Sequence, residues 1–230
     1  LLAKKIWMKD GEAAPNSNKI IVLAAGVVGA LAYTFSDSFW FSAVEGEVYA
    51  MSSLFTAITF WAILKWEEVS DSPYNYRWII FIAYLIGLSI GVHLLNLLCI
   101  PAVVYIVYFK KYKNVTFKGF CLAGIISVAL VGFIQVLLIP AIVSLCGKFE
   151  LFFVNILGAS FNVGTLVYFV LIIAAIVLGI YFTTKYKKVI LNTIVLSLMF
   201  ILIGYSSFFM LVIRANANTP INENDPSEAV

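Results

Sequence analysis

Residues 78–109 read WIIFIAYLIGLSIGVHLLNLLCIPAVVYIVYF, and whether they form one helix or two decides where everything after them lies. The hydrocarbon core of a bilayer is about 30 Å thick and a helix rises about 1.5 Å per residue, so about 20 residues make one crossing. This stretch is too long for one ordinary span and barely long enough for two. As one span, it sets Lys110, Lys111, Lys113 and Lys118 opposite Lys4, Lys5 and Lys9, with Lys185, Lys187 and Lys188 following them outside. That arrangement breaks the bias toward cytoplasmic lysine and arginine twice. As a tight hairpin turning near Gly91 to His93, the stretch gathers Lys4, Lys5, Lys9, Lys19, Lys65, Arg77 and both later clusters on one side. Only Lys148 and Arg214 then stay on the other, and we read the hairpin.

Working outward, further apolar runs lie near Ile20 to Phe35, Val48 to Leu64, Phe120 to Leu145, Thr165 to Thr183 and Val189 to Ile213. With the hairpin this predicts an all-α, polytopic transmembrane bundle of seven spans over residues 1–213, followed by an outer loop, 214–230. The runs are continuous and lack the roughly ten-residue alternation of a membrane β-barrel strand. Of the 230 residues 63% are hydrophobic and 12% charged, against about 45–50% and about 25% in an ordinary soluble domain. Most of the surface must therefore face lipid. A net charge of +3, held in short clusters between apolar runs, argues against nucleic acid as a partner. Cys99, Cys121 and Cys146 have no CxxC spacing and read as packing residues. The segment from Phe149 to Asn162 reads as an interfacial or re-entrant helix. From the absence of an initial methionine and the abrupt polar ending we expect a piece of a larger protein, and residues 1–18, short, mixed and polar, do not read as a signal peptide.

The outer face then carries residues 36–47, the turn at His93, 146–164 and the tail after Arg214. Three carboxylates, Asp37, Glu45 and Glu47, precede the second span. If that helix has begun, Glu45 shares a face with Tyr49, Ser52, Ser53, Thr56 and Thr59, a polar stripe that belongs toward the bundle interior. Glu47 shares the face of Met51, Leu54, Phe55 and Ile58. Two uses of these acids stand side by side: a general base in a partly desolvated cavity, or a complement to the helix macrodipole. His93, the only histidine, sits in Gly-Val-His-Leu-Leu-Asn with Asn96 one helical turn on; it reads either as a hydrogen-bonded structural residue or as a direct participant. One histidine argues against a zinc enzyme, whereas the carboxylates leave a divalent cation open. Arg214 opens Ala-Asn-Ala-Asn-Thr-Pro-Ile-Asn-Glu-Asn-Asp-Pro, read as an ordered loop. It either snorkels to the headgroup region or clamps a lipid-linked phosphate. Gly87 and Gly91 match GxxxG and mark a close helix crossing.

Three blocks carry a family resemblance: Phe35-Ser-Asp-Ser-Phe-Trp-Phe-Ser-Ala-Val-Glu-Gly-Glu-Val-Tyr-Ala-Met, Gly87-Leu-Ser-Ile-Gly-Val-His-Leu-Leu-Asn-Leu-Leu, and the block beginning at Arg214. With them the chain resembles large bacterial multispan membrane proteins, formerly a domain of unknown function, that are related to an animal endoplasmic-reticulum protein O-mannosyltransferase and similar to the GT-C glycosyltransferase superfamily. The resemblance implies an integral protein of the bacterial cytoplasmic (inner) membrane with its active face outside the cytoplasm. It implies transfer of a sugar from a polyprenyl-phosphate donor to a protein serine or threonine hydroxyl, with membrane lipid, donor and protein acceptor as partners. In the role of catalytic residues it implies Glu45, Glu47 and His93; in the role of substrate-binding residues, Asp37, Tyr49, Asn96, Arg214, Asn216 and Asn218. The family also has an earlier acidic outer loop, upstream of the position of Leu1, and GT-C enzymes generally place their base in such a first loop. The resemblance thus leaves the principal base either upstream or among these residues. Two other readings compete: a transporter or lipid flippase built around the polar stripe, and a noncatalytic membrane scaffold.

Overall fold

The computed structural model describes residues 16–210 and Arg214, and all regular structure among them is helical. In chain order the helices are α1 (Asn16–Thr34), α2 (Asp37–Val44), α3 (Tyr49–Val69), α4 (Tyr76–Ile90), α5 (Cys99–Lys111), α6 (Phe117–Gly132), α7 (Ile139–Asn155), α8 (Val163–Lys185) and α9 (Val189–Tyr205). Short 3-10 turns occupy Leu94–Leu98 and Ser206–Phe208. The chain breaks between α4 and α5 at Gly91–His93, as the hairpin reading requires.

Four helical stretches among the described residues are long and apolar enough to cross a membrane: Leu94–Lys111, Phe117–Asn155, Val163–Lys185 and Val189–Phe208. A fifth is obtained if the first two helices, bent by 60°, count as one broken span. The bend has a local cause. Thr34 and Ser36 turn their hydroxyls back onto the carbonyls of Ala30 and Tyr33, at 2.8 and 2.7 Å, which competes with the helix ladder. Helix α3 holds the polar stripe, and α4 has 15 residues. Both are the most enclosed helices, contributing Ala62, Ile63, Trp66, Ile82, Leu85 and Ile86 to a core that also takes in Leu97, Ile100, Ile134 and Tyr205. On the perimeter the pattern inverts. Leu23, Val28, Ile125, Val128, Val136, Leu166 and Ile190 are all exposed, a girdle that is stable only against lipid. The chain is an integral membrane protein.

Helices α6 and α7 form one continuous 39-residue stretch through a π-helical segment, Phe133–Leu138. Its cause is Pro140, near the start of α7: proline lacks an N–H and crowds the carbonyl four residues back, so the backbone widens its turn rather than break. The expected separate helix over Phe149–Asn162 is not found. Instead α7 runs on to Asn155, and a turn with left-handed residues at Gly158 and Asn162 leads into α8.

Side-chain contacts sort the two ends of the bundle. Lys111 Nζ donates to Ser70 O at 3.0 Å and lies 5.8 Å from the Trp66 ring, while Lys110 approaches Asp71 at 3.9 Å. The close of α5 therefore lies beside the close of α3. Helices α4 and α9 run in the same direction, with Tyr84 against Phe200 at 6.1 Å between centroids. A Cβ added to Gly87 would collide with the Ile201 backbone, and one on Gly204 would come within 2.5 Å of Leu88 N. One on Gly91 would meet Ser207 Oγ at 2.5 Å. The GxxxG pair is thus a packing seam for α9. These directions place Lys65, Arg77, Lys110, Lys111, Lys185, Lys187 and Lys188 at one end, and Tyr49 and His93 at the other.

Candidate functional site

At the end opposite the lysines, the sequence builds a site from the start of α3 and the α4–α5 turn. His93 has extended backbone (φ −164°, ψ 140°) and caps the 3-10 turn after it, its Nδ1 accepting from Leu95 N–H at 3.1 Å. With Nδ1 accepting, Nε2 is the ring nitrogen left to donate. Tyr49, half exposed, lies against the imidazole with ring centroids 5.7 Å apart.

Beneath them lies a buried polar seam. Asn96 is fully buried, its Nδ2 donating to Ser89 Oγ at 3.1 Å and to Thr59 Oγ1 at 3.4 Å. Ser89 Oγ in turn donates to Ile86 O at 2.7 Å. Ser52 is buried as well, and Ser53 and Thr56 are half-buried, so from Ser52 to Thr59 the stripe foreseen on α3 points inward, whereas Tyr49 at its head is exposed. The bonds among Thr59, Ser89 and Asn96 tie α3, α4 and the turn into one unit, while Ser52 Oγ and Asn96 Oδ1 are buried without a partner. Asn96 reaches the site from below, through the backbone it shares with His93.

The carboxylates stand differently from expectation. Glu45 is not on α3: it terminates α2, its N–H bonded to Phe41 O at 3.1 Å. Gly46 follows with φ +74°, and α3 begins only at Tyr49, capped by Val48. The helical-face argument separating Glu45 from Glu47 therefore does not apply, because both flank a break. The macrodipole reading also fails for Glu45, which sits at the negative end of α2, whereas Asp37 occupies that helix's first turn. Asp37, Glu45 and Glu47 are all exposed, and Glu47 is two residues from Tyr49. Arg214 is exposed; Asn216 and Asn218 lie outside the described residues. Among the described residues no three of His, Cys, Asp and Glu assemble into a metal site.

One acid with a defined job was not singled out from the sequence. Glu150, near the end of α7, accepts from Asn162 N–H at 2.6 Å, Thr165 N–H at 2.8 Å and Thr165 Oγ1 at 3.0 Å. It caps α8 from a neighbouring helix. The 39 residues from Phe117 to Asn155 extend about 58 Å against a hydrocarbon core of about 30 Å, so Glu150 stands beyond the crossing. The Thr165 N–H, then the Asn162 N–H, hold its carboxyl below the usual carboxylate range. No signal in the sequence pointed to it: α7 approaches α8 closely at Gly164, where a Cβ would come within 2.5 Å of Phe149 O, and such contact distances are invisible in a string of residues.

Among known proteins, the family described as "Protein O-mannosyl-transferase TMEM260 N-terminal domain" matches residues 1–116. No curated protein and no solved structure matches the chain.

Proposed function

The chain belongs to the protein O-mannosyl-transferase TMEM260 N-terminal domain family, and from that premise we propose that it is the membrane module of a GT-C-type glycosyltransferase. In this reading a sugar passes from a polyprenyl-phosphate carrier to a serine or threonine hydroxyl of a protein acceptor. The lysine-rich end faces the cytoplasm, following the positive-inside bias. The reaction then takes place on the outer face of a bacterial inner membrane, with α3 and α4 as enclosed spans of a seven-span bundle.

The observation that carries the reading is the shared location of the exposed acids around Gly46, the Tyr49–His93 pair and its buried support, at the end without lysine clusters. Chemically, Glu45 or Glu47 removes the acceptor hydroxyl's proton as it attacks the anomeric carbon. The phosphate departs with its charge met by donors, of which His93 Nε2–H is one. Tyr49 and Asp37 border the sugar, Asn96 positions His93 through the turn, and Arg214, Asn216 and Asn218 serve the phosphate. The break at Gly46 suits a base better than a continuous helix would, because it lets a carboxylate approach a substrate.

The test is transfer of mannose from a polyprenyl-phosphate donor to a serine/threonine peptide by the intact protein. Glu45→Gln or Glu47→Gln should lower turnover by about 10²-fold or more, the scale of a lost general base, while thermal stability and donor binding persist. Full turnover in both variants and in the double variant would remove the proposed site.

A further inference from the structure

Helices α7, α8 and α9 enclose two adjoining cavities. The inner one, about 370 Å³, lies at membrane depth between Phe169, Ile172, Ile176, Met199 and Leu202. The outer one, about 740 Å³, is walled by Pro140, Ser144, Cys146, Lys148, Glu150 and Thr165. Ile142 and Phe209 line both, so together they form one mainly apolar groove, with Ser144, Lys148, Glu150 and Thr165 among the residues of its outer part. Each volume falls in the range of about 300–1,000 Å³ typical of ligand sites. The groove's wall on α7 begins at Pro140, directly after the π-helical segment Phe133–Leu138.

The charge at the mouth is asymmetric. Glu150 is committed to the amino end of α8 through three hydrogen bonds. Lys148 is exposed and has neither hydrogen bond nor ion pair among the described residues. The mouth also adjoins the site already described: Phe208 lines the outer cavity, and its N–H lies 3.4 Å from where a Cβ on Gly91 would stand, two residues before His93.

We propose that this groove binds a membrane lipid with one apolar chain and a phosphate head, the chain in the inner cavity and the phosphate at Lys148. A single apolar cavity ending at a single uncommitted cation suits one chain and one phosphate rather than a two-chain lipid. As the seat of a sugar donor, the assignment rests on the transferase reading above. As a lipid site, it stands on the cavities and Lys148.

The experiment uses the intact protein in nanodiscs of neutral phosphatidylcholine, with a photoreactive farnesyl phosphate as probe and farnesol, phosphatidylglycerol and inorganic phosphate as competitors. Saturable labelling of peptides from α7 to α9 is expected, displaced by farnesyl phosphate and not by the other three. Lys148→Gln should weaken binding about tenfold, the scale of one charge-assisted hydrogen bond. Ile176→Trp, and independently Ile172→Phe, should reduce labelling by filling the chain's space, and Lys187→Gln at the far end should leave it unchanged. The proposal is overturned if farnesol competes equally or phosphatidylglycerol competes better. It also falls if labelling maps to another region, if an unlabelled protein segment crosslinks to a photoreactive residue at 176 in place of lipid, or if every groove variant binds normally. Binding as expected without any sugar transfer sinks the transferase reading and keeps the groove; transfer with unchanged KM in Lys148→Gln and Ile176→Trp sinks the groove alone.

Discussion

At the scale of single residues, Asn96 shows how a buried amide can matter without touching anything outside the fold. Its bonds to Ser89 and Thr59 hold the turn that presents His93. Asn96→Ala should destabilise the protein by about 1–3 kcal/mol, the cost of stripping a partner from buried polar groups, seen as a lower melting temperature in detergent. An unchanged melt would mean that the seam is not structural. Glu150 makes a pH-dependent contribution instead. Its folded-state pKa is depressed by hydrogen bonds to Thr165 and Asn162, so its stabilising effect is fully present above the unfolded value of about 4.5 and is lost as pH falls through the lower folded value. Melts recorded from pH 6 downward should show a decline below about pH 4.5 that Glu150→Gln removes. If the two proteins trace parallel curves, the cap carries no charge-dependent stability.

Among helices, the crossing of α4 with α9 depends on the absence of side chains. Gly87 and Gly204 bring backbone against backbone, and any Cβ at either meets main-chain atoms that cannot step aside. Gly87→Leu or Gly204→Leu should therefore cost at least the 1–3 kcal/mol of overpacking. Gly132→Leu, which faces open space, should be nearly neutral. Comparable losses at all three positions, measured as detergent melting temperatures, would contradict this crossing. The GxxxG spacing marked the seam in the sequence, but its partner did not show there, because Gly204 lies more than a hundred residues away and no short motif surrounds it. The break at Gly91–His93 was legible for a different reason: bilayer thickness and lysine placement together exclude a single span. The start of α3 was legible to within a residue, the apolar run opening near Val48 and the helix at Tyr49; the left-handed Gly46 that parts Glu45 and Glu47 from it was not.

For the molecule as a whole, the contacts set all the described lysine clusters at one end, and the Tyr49–His93 pair at the other. In a cysteine-free background, Glu47→Cys should react with an impermeant maleimide from one side of sealed membranes and Asp71→Cys only from the other. Labelling of both from the same side would dismantle the site and the orientation together.

Hydropathy and charge along the chain determined that this protein lives in lipid, where it turns and which segments share an end, because the cost of burying unpaired backbone and charge in hydrocarbon acts locally and leaves its mark at every span. The tertiary structure alone decided which polar groups are enclosed, that Glu45 ends one helix instead of starting the next, and that Lys148 rather than Glu150 is left uncommitted at the mouth of a groove. Those outcomes depend on distances between residues far apart in the chain, and hydrogen-bond and steric terms that vanish within a few ångströms cannot be read from composition or period.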